Sequence, residues 1–530
     1  MSASVRVHPY MYGCLRATSR ARLVRWPHGR PIAARAPGLG GSTIMRRTHA
    51  TTVALVALAT ILGTGPAAAA PGAATGPGSS AGPYLVRTAP GVVTTSLLTV
   101  GDRAANGYRM VGFPDGLGAF DNGDGTFTLL VNHELGGTGG IVRAHGFRGA
   151  FVSRWTIDTD TLRVVTGEDL VKQVLRPDAA AGWAPYQQAM ARLCSADLPP
   201  VGTFEDVATG DGTRHRILLN GDEINPGRAY GHVVDGPDAG TSYVLTGLGR
   251  QQWENLVTMP GGGPDTVVLQ TNDEAGGQVF VYVGRKRSTG NDVERAGLTG
   301  GRLYGVAIAG SVDPVSGNTT VAPGGARFEL VEIPGADTLL PGALDLRADA
   351  LGVSHLDRPE DAVWDGSGRG LWFATTGAFD RASNLWHLTF DDPADVLAGG
   401  TAEIAVTSPP YDAADPQGPR MMDNLTVNDR GQVLIQEDPG DRAYSAGVYQ
   451  YDPSTGGLRR IAQHDPALFT EGGAGFLTQA EESSGIIPAS FLGRGKYLLT
   501  SMAHYATGDP ETVQGGQLLE LHVPPGQPVG

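Results

Sequence analysis

From Tyr84 onward the chain is written in short apolar runs broken by Gly, Asp, Asn and Pro. Runs at 266–269, 278–283, 302–307, 370–374, 432–435 and 497–499 have the length and composition of β-strands. Asn122-Gly123, Asp124-Gly125, Asp365-Gly366 and Gly456-Gly457 supply the turns between such runs. Dense strands with this punctuation predict a propeller, a barrel or a sandwich, and the length favours the propeller. The expectation is an all-β chain of about six four-stranded blades with long inter-strand insertions. No clean repeat of about 40–50 residues supports it, so it rests on strand density and length. Residues 179–193 and 339–351 are the best candidates for the few decorating helices.

Composition agrees. Glycine (78) and proline (36) make up about a fifth of the 530 residues, above the usual share and suited to strands and turns. The net charge of −14 conceals two regions. Residues 1–70 hold nine arginines and no acid, leaving 31 basic and 54 acidic residues beyond, a net of −23. Such a chain repels nucleic acid and anionic lipid, yet it can bind phosphate where metal ions invert the local field.

The start of the chain reads as targeting sequence. Met45-Arg46-Arg47 precedes an apolar stretch at 51–62 and the cleavage signal Ala67-Ala68-Ala69, as in a secretory signal peptide over 45–69. The apolar stretch is too short to span a bilayer. Residues 1–44 read as an upstream extension from a misplaced start, 70–83 as a small-residue linker and 84–525 as a single domain. The expected product is secreted, monomeric and without a membrane span. With only Cys14 and Cys194 there is no disulfide framework, and Cys14 falls in the extension. Gly78-Ser79-Ser80-Ala81-Gly82 matches a nucleophile elbow in letters only, lacking the strand before it and the helix after it. The P-loop, HExxH and Rossmann signatures are absent. Asp121 to Gly125 reads as a tight hairpin turn, because its offsets do not fit an EF-hand and His133 stands at the twelfth position.

Candidate chemistry lies in acidic clusters beside the apolar runs. They are Asn132-His133-Glu134, Asp222-Glu223, Glu254-Asn255, Asn272-Asp273-Glu274, Glu360-Asp361, Asp423-Asn424, Glu437-Asp438 and Glu481-Glu482, with His504 after the last. Any one of them alone is an ordinary solvated turn. In a closed toroid, however, loops from different blades converge on one channel, and gathered carboxylates call for a hard cation. Arg250 and Arg358 accompany two clusters, either as phosphate contacts or as ion-pair partners of the neighbouring acids. Cys194 reads either as a buried small hydrophobe or as a thiolate ligand to a softer metal such as iron.

Taken in order, several segments resemble the PhoX-type alkaline phosphatases. They include Leu130 through Glu134, Leu219 through Glu223, Leu248 through Asn255, Thr271 through Glu274 and Gln278 through Tyr282. Arg358 through Asp361, Asp423 through Thr426 and Gln436 through Gly440 complete the series. The resemblance spans about residues 110–510 and implies a secreted six-bladed propeller that hydrolyses small phosphate esters with calcium and iron in its channel. It implies Glu223 and Glu254 as metal-bridging carboxylates, and Asp273, Glu360 and Glu437 as calcium-side ligands. Cys194 would be the iron ligand, with Asp222 and Glu134 as further ligands. Glu223, Glu254 and Arg358 would be catalytic; Arg250, Arg358, Asn272 and His504 would contact substrate. Two departures stand out: Gly221 replaces the first residue of the family's Cys-Glu-Glu, and 195–200 replaces its Gly-rich stretch. The alternatives are a calcium-stabilised propeller that binds a ligand without catalysis, or a calcium-dependent propeller hydrolase of another class.

Overall fold

Strands pair mostly antiparallel into six blades around a common channel, with parallel pairs only at the outer parts of two of them among the described residues. The computed structural model describes residues 72–311, 320–340, 342–408, 418–526 and 529. The signal-peptide and extension readings, with Cys14, lie outside those residues. Blade I holds Pro114–Asp121, Thr126–His133, Phe151–Asp158 and Val164–Asp169. In blade II the inner segment 193–197 bridges Leu219 and Asp222, on and just after the strand Ile217–Gly221, which is followed by Ala229–Val233, Thr241–Val244, Gln173–Asp178 and Gly182–Pro185. Blade III runs Trp253–Thr258, Asp265–Asn272, Val279–Arg285 and Arg302–Ile308, and blade IV Pro359–Trp364, Gly370–Thr375, Ser383–Phe390 and Gly400–Ser408. The strand Ala326–Glu332 joins the outer edges of these two into one nine-stranded sheet.

The ring closes with residues from the other end of the described chain. Blade V (Met422–Val427, Val433–Glu437, Gly447–Asp452, Gly457–His464) takes Leu85–Arg87 as its outer strand. Blade VI (Glu481–Pro488, Lys496–Ala506, Gln514–His522) takes Val93–Thr99, and beyond it Ala73–Thr75. The segment expected as a linker, 70–83, therefore supplies an edge strand, because small residues pair as readily as they turn. Residues 179–193 form no helix; Gly182–Pro185 folds back on Gln173–Asp178 as a hairpin. The second helix expected is present in shorter form as Ala343–Ala350. Asp121 to Gly125 is the expected turn, with Asp121 accepting from the Gly123 N–H at 2.8 Å. Among the described residues no helix is long and apolar enough to cross a membrane.

The cores lie between blades, which explains why the middle strands are apolar on both faces. Leu130, Val152, Leu218 and Tyr230 pack between I and II, while Ile217, Leu219, Val268 and Phe280 pack between II and III. Leu269 and Phe373, Ile435 and Leu385, Leu434 and Leu499, and Leu129 and Leu498 mark the other four interfaces. Alternate residues of one strand thus serve two neighbours, so burial is nearly continuous rather than alternating.

At the channel the packing turns polar. Asn132 of blade I donates to the carbonyls of Cys194 at 2.7 Å and Ser195 at 3.2 Å in blade II. Thr376 binds the Met422 carbonyl at 2.5 Å, Gln436 the Ser484 carbonyl at 3.2 Å, and Thr500 the Asp115 carbonyl at 3.2 Å. In each case a residue on or next to a blade's second strand holds the inner strand of the following blade, where that strand departs from regular pairing. Irregular strands leave carbonyls that the ladder does not satisfy, and these side chains satisfy them. Replacing Asn132 with Ala should lower unfolding free energy by about 2 kcal/mol. Chemical denaturation measures this, and an unchanged midpoint would mean that the carbonyls find other partners.

Candidate metal centre

The inner strands share one local design. Pairing is interrupted between Pro114 and Leu117, Trp253 and Leu256, Pro359 and Ala362, and Met422 and Leu425. In blade II the bridges at Leu193 and Asp197 frame the same kind of interruption. Each bulge holds a candidate ligand: Asp115, Cys194, Glu254, Glu360 and Asp423. In four blades the residue two positions earlier is left-handed without being glycine: Phe113 (φ 53°), Arg192 (49°), Arg358 (62°) and Met421 (47°). Such residues are uncommon and concentrate where the surrounding structure over-determines the backbone. Here they re-aim each bulge.

The ligands form a linked array. Asp115, Glu134 and Cys194 bring one ligand atom each within 4.8 Å of one another; so do Cys194, Glu223 and Glu254, and again Glu254, Glu360 and Asp423. Cys194 and Glu254 belong to two groups each, so the three run together. All seven side chains are buried. Close approach of blades I and II depends on Gly116, where a β-carbon would lie 2.4 Å from the Ala196 nitrogen. Gly221 explains one departure from the resemblance: a β-carbon there would lie 2.4 Å from that of Trp253, which fills the space a cysteine would need.

Hydrogen bonds orient the array. Ser195 Oγ donates to Glu254 Oε1 at 2.6 Å and accepts from Asn424 Nδ2 at 2.8 Å. Cys194 Sγ donates to Asp115 Oδ2 at 3.0 Å. Arg358 grips Asp273 with two parallel bonds of 2.8 Å and reaches Glu360 at 2.9 Å. Arg192 Nη2 contacts Glu134 at 2.8 Å and also Glu223, which accepts from its Nε at 3.0 Å. His504 Nε2 stands 3.4 Å from Glu482, and its Nδ1 is 2.8 Å from Gln514.

Burial dominates the electrostatics. It pushes Glu134 up to about 7 and Glu254 up to about 8, with neighbouring acids adding to the rise. It also drives Asp115, Glu223, Glu360, Asp423 and the Cys194 thiol well above their ordinary ranges. Burial opposes the charge on Asp273 and Glu482 too, but Arg358 and His504 respectively outweigh it and hold both carboxyls low. Burial would lower His504, but its bond to Glu482 wins and raises it to about 9.

Several expected residues do not belong to the three groups. Asp222 is occupied by Arg228 Nε at 2.5 Å, Tyr230 Oη at 3.1 Å and the Ala191 N–H at 2.8 Å, so it braces blade II instead of facing the array. Its alternation with Glu223 along the chain sends one acid outward and the other inward. Glu437 accepts from Tyr444 at 2.8 Å and from the Gly447 and Arg420 N–H groups, pinning a loop. Its neighbour Asp438 lies near Glu482, His504 and Arg358. Arg250 reaches the Pro226 carbonyl at 3.5 Å, and Asn272 is buried with neither carboxamide atom hydrogen-bonded among the described residues. Asp115, Arg192 and Ser195 were not assigned to the site from sequence, and Asp423 was read there only as part of an acidic cluster, without a ligand role. A usable signal existed, because Phe113-Pro114-Asp115-Gly116 repeats the form of Arg358-Pro359-Glu360-Asp361.

The family model described as alkaline phosphatase PhoX matches residues 202–475, over half of the chain. The chain belongs to the PhoX family. That match contains Glu223, Glu254, Glu360 and Asp423, while Asp115, Glu134 and Cys194 reach the array from outside it. Among solved structures, Pseudomonas fluorescens PhoX in complex with vanadate, a transition state analogue, has a TM-score of 0.60 at 14% identity, covering 83% of this chain and 96% of that one. This likeness shows the propeller fold. The soluble aldose sugar dehydrogenase of Escherichia coli (TM-score 0.34, 12% identity, 81% and 99% covered) is far less similar. So is a putative 6-phosphogluconolactonase from Bacteroides uniformis (0.30, 11%, 71% and 89%). No curated protein matches the chain.

The raised acids set a pH dependence with a definite sign. Without cations the folded chain holds protons on Glu134 and Glu254 that the unfolded chain releases near 4.5, so folded stability falls as pH rises through 7 to 8. Chelated protein should therefore unfold at lower denaturant at about pH 8 than at about pH 5, and added divalent cation should remove the difference. Equal midpoints across that range in chelator would contradict the placement of these acids.

Proposed function

We propose that this PhoX-family chain is a secreted, metal-dependent phosphoesterase acting on small phosphate esters at the channel array. The observation that carries the reading is the linked set of seven buried ligands flanked by two arginines. The residues fit cations. Asp115 Oδ1 and Glu254 Oε2 are buried with no hydrogen-bond partner, and so many ionised groups tolerate one another only around positive charge. The donor set also separates by softness. Glu254, Glu360 and Asp423 offer oxygen alone and suit calcium, whereas the two groups sharing Cys194 add a thiolate and suit iron. Cys194 lies beside Glu223 and Glu254 and not among apolar side chains alone, which favours its reading as a ligand.

When bound, such cations supply positive charge to the transferring phosphoryl group and ease formation of the attacking nucleophile from water. The chain's own residues do the positioning. Glu254 links two of the three groups and is fixed by Ser195, itself fixed by Asn424. The planar guanidinium of Arg358 matches two phosphate oxygens and is held at the rim by Asp273 and Glu360. His504 keeps a proton at neutral pH and adds a fixed positive charge on the blade VI side.

Substitution Glu254→Ala should reduce turnover of p-nitrophenyl phosphate by at least about a hundredfold while the circular dichroism spectrum stays that of the parent. Activity within a few-fold of the parent would remove Glu254 from the site. Cys194→Ser should lower bound iron while sparing calcium in elemental analysis; unchanged iron would place that metal elsewhere.

A further inference from the structure

Arg192 and Arg358 are related by architecture, not by local sequence. Each is a left-handed residue two positions before a ligand candidate, Cys194 in blade II and Glu360 in blade IV. Each bridges two carboxylates that arise from adjacent blades. Arg192 joins Glu134 at the end of a blade I strand to Glu223 beyond a blade II strand. Arg358 joins Asp273, beyond a blade III strand, to Glu360 in blade IV. Blade III lies between the two and contributes Glu254.

The backbone does not demand arginine at these positions, since Phe113 and Met421 hold the same conformation in blades I and V. Nor is Arg192 a buried counter-ion of the usual kind. Its side chain is 36% exposed and that of Arg358 28%, whereas Glu134, Glu223 and Glu360 are at most 7% exposed. Both side chains are therefore partly reached by solvent, while their guanidiniums touch buried carboxylates of the array or beside it. Arg192 engages the carboxylates through Nε and Nη2, which leaves the hydrogens of Nη1 for a further acceptor.

We propose that Arg192 is a second phosphate-contacting guanidinium, holding the substrate's terminal oxygens from the blade II side as Arg358 does from the blade IV side. This rests on the phosphoesterase reading. Two planar cations on opposite sides of blade III would fix both the position and the rotation of a phosphoryl group, which one alone leaves free about its axis.

The test compares Arg192→Gln and Arg192→Lys with the parent, each loaded with calcium and iron. Metal content and thermal midpoint are measured, together with binding of inorganic phosphate by calorimetry and steady-state kinetics on p-nitrophenyl phosphate. The expected result for Arg192→Gln is phosphate binding weakened and KM raised by roughly tenfold to a hundredfold at unchanged metal content, with Arg192→Lys recovering part of the loss. Unaltered phosphate affinity in Arg192→Gln would overturn the proposal. So would losses that follow a fall in bound metal, because they assign Arg192 to holding Glu134 and Glu223 only. If the parent binds phosphate through Arg192 yet turns over no ester, the phosphoesterase reading fails and the contact stands. If the loaded parent binds no phosphate, both fail.

Discussion

Seven buried ligand side chains gathered at one channel cannot carry their charges together without cations among them. Burial raises the free energy of every ionised carboxylate, and each acid raises its neighbours' further. Two arginines and one histidine offset only part of that charge. Everything else about the channel follows from keeping these groups close. Bulges bring one acid or thiol per inner strand out of the ladder, left-handed residues aim it, and glycine at 116 and 221 lets adjacent blades approach.

The propeller supplies the rigidity this arrangement requires. Six interblade cores fix the sheets, and strands from the start of the described chain complete blades V and VI. Over that apolar framework lies a polar layer in which Asn132, Thr376, Gln436 and Thr500 each fasten the next blade's inner strand. The site is thus tied to the ring as a whole. A ligand such as Asp115 in blade I is placed by Thr500 of blade VI and by the loop of Cys194 in blade II.

The all-β ring was legible in the sequence because middle strands that pack on both faces read as continuous apolar runs. Strand pairing at the outer edges of blades II and VI was not, since Gly182–Pro185 and Ala73–Thr75 carry small or mixed residues with no decisive period. Candidate ligands were legible as acids beside apolar runs, but the direction of each side chain was not. Asp222 and Glu223 differ by one position and face opposite environments, and the same holds for Glu437 and Asp438. Bulges shift that alternation by one residue, so simple counting along a strand cannot tell which acid turns inward. Asp115 escaped because it stands between Pro114 and Gly116, without the second acid, asparagine or histidine that marked each of the other clusters.

The most direct measurement is the number of metal ions per chain in purified protein, followed through stepwise chelation alongside phosphatase activity. The account predicts more than one ion per chain, with activity lost as they are removed and regained when calcium and iron are restored. Full activity in protein stripped of metal, or a chain that holds no metal under any loading, would contradict it.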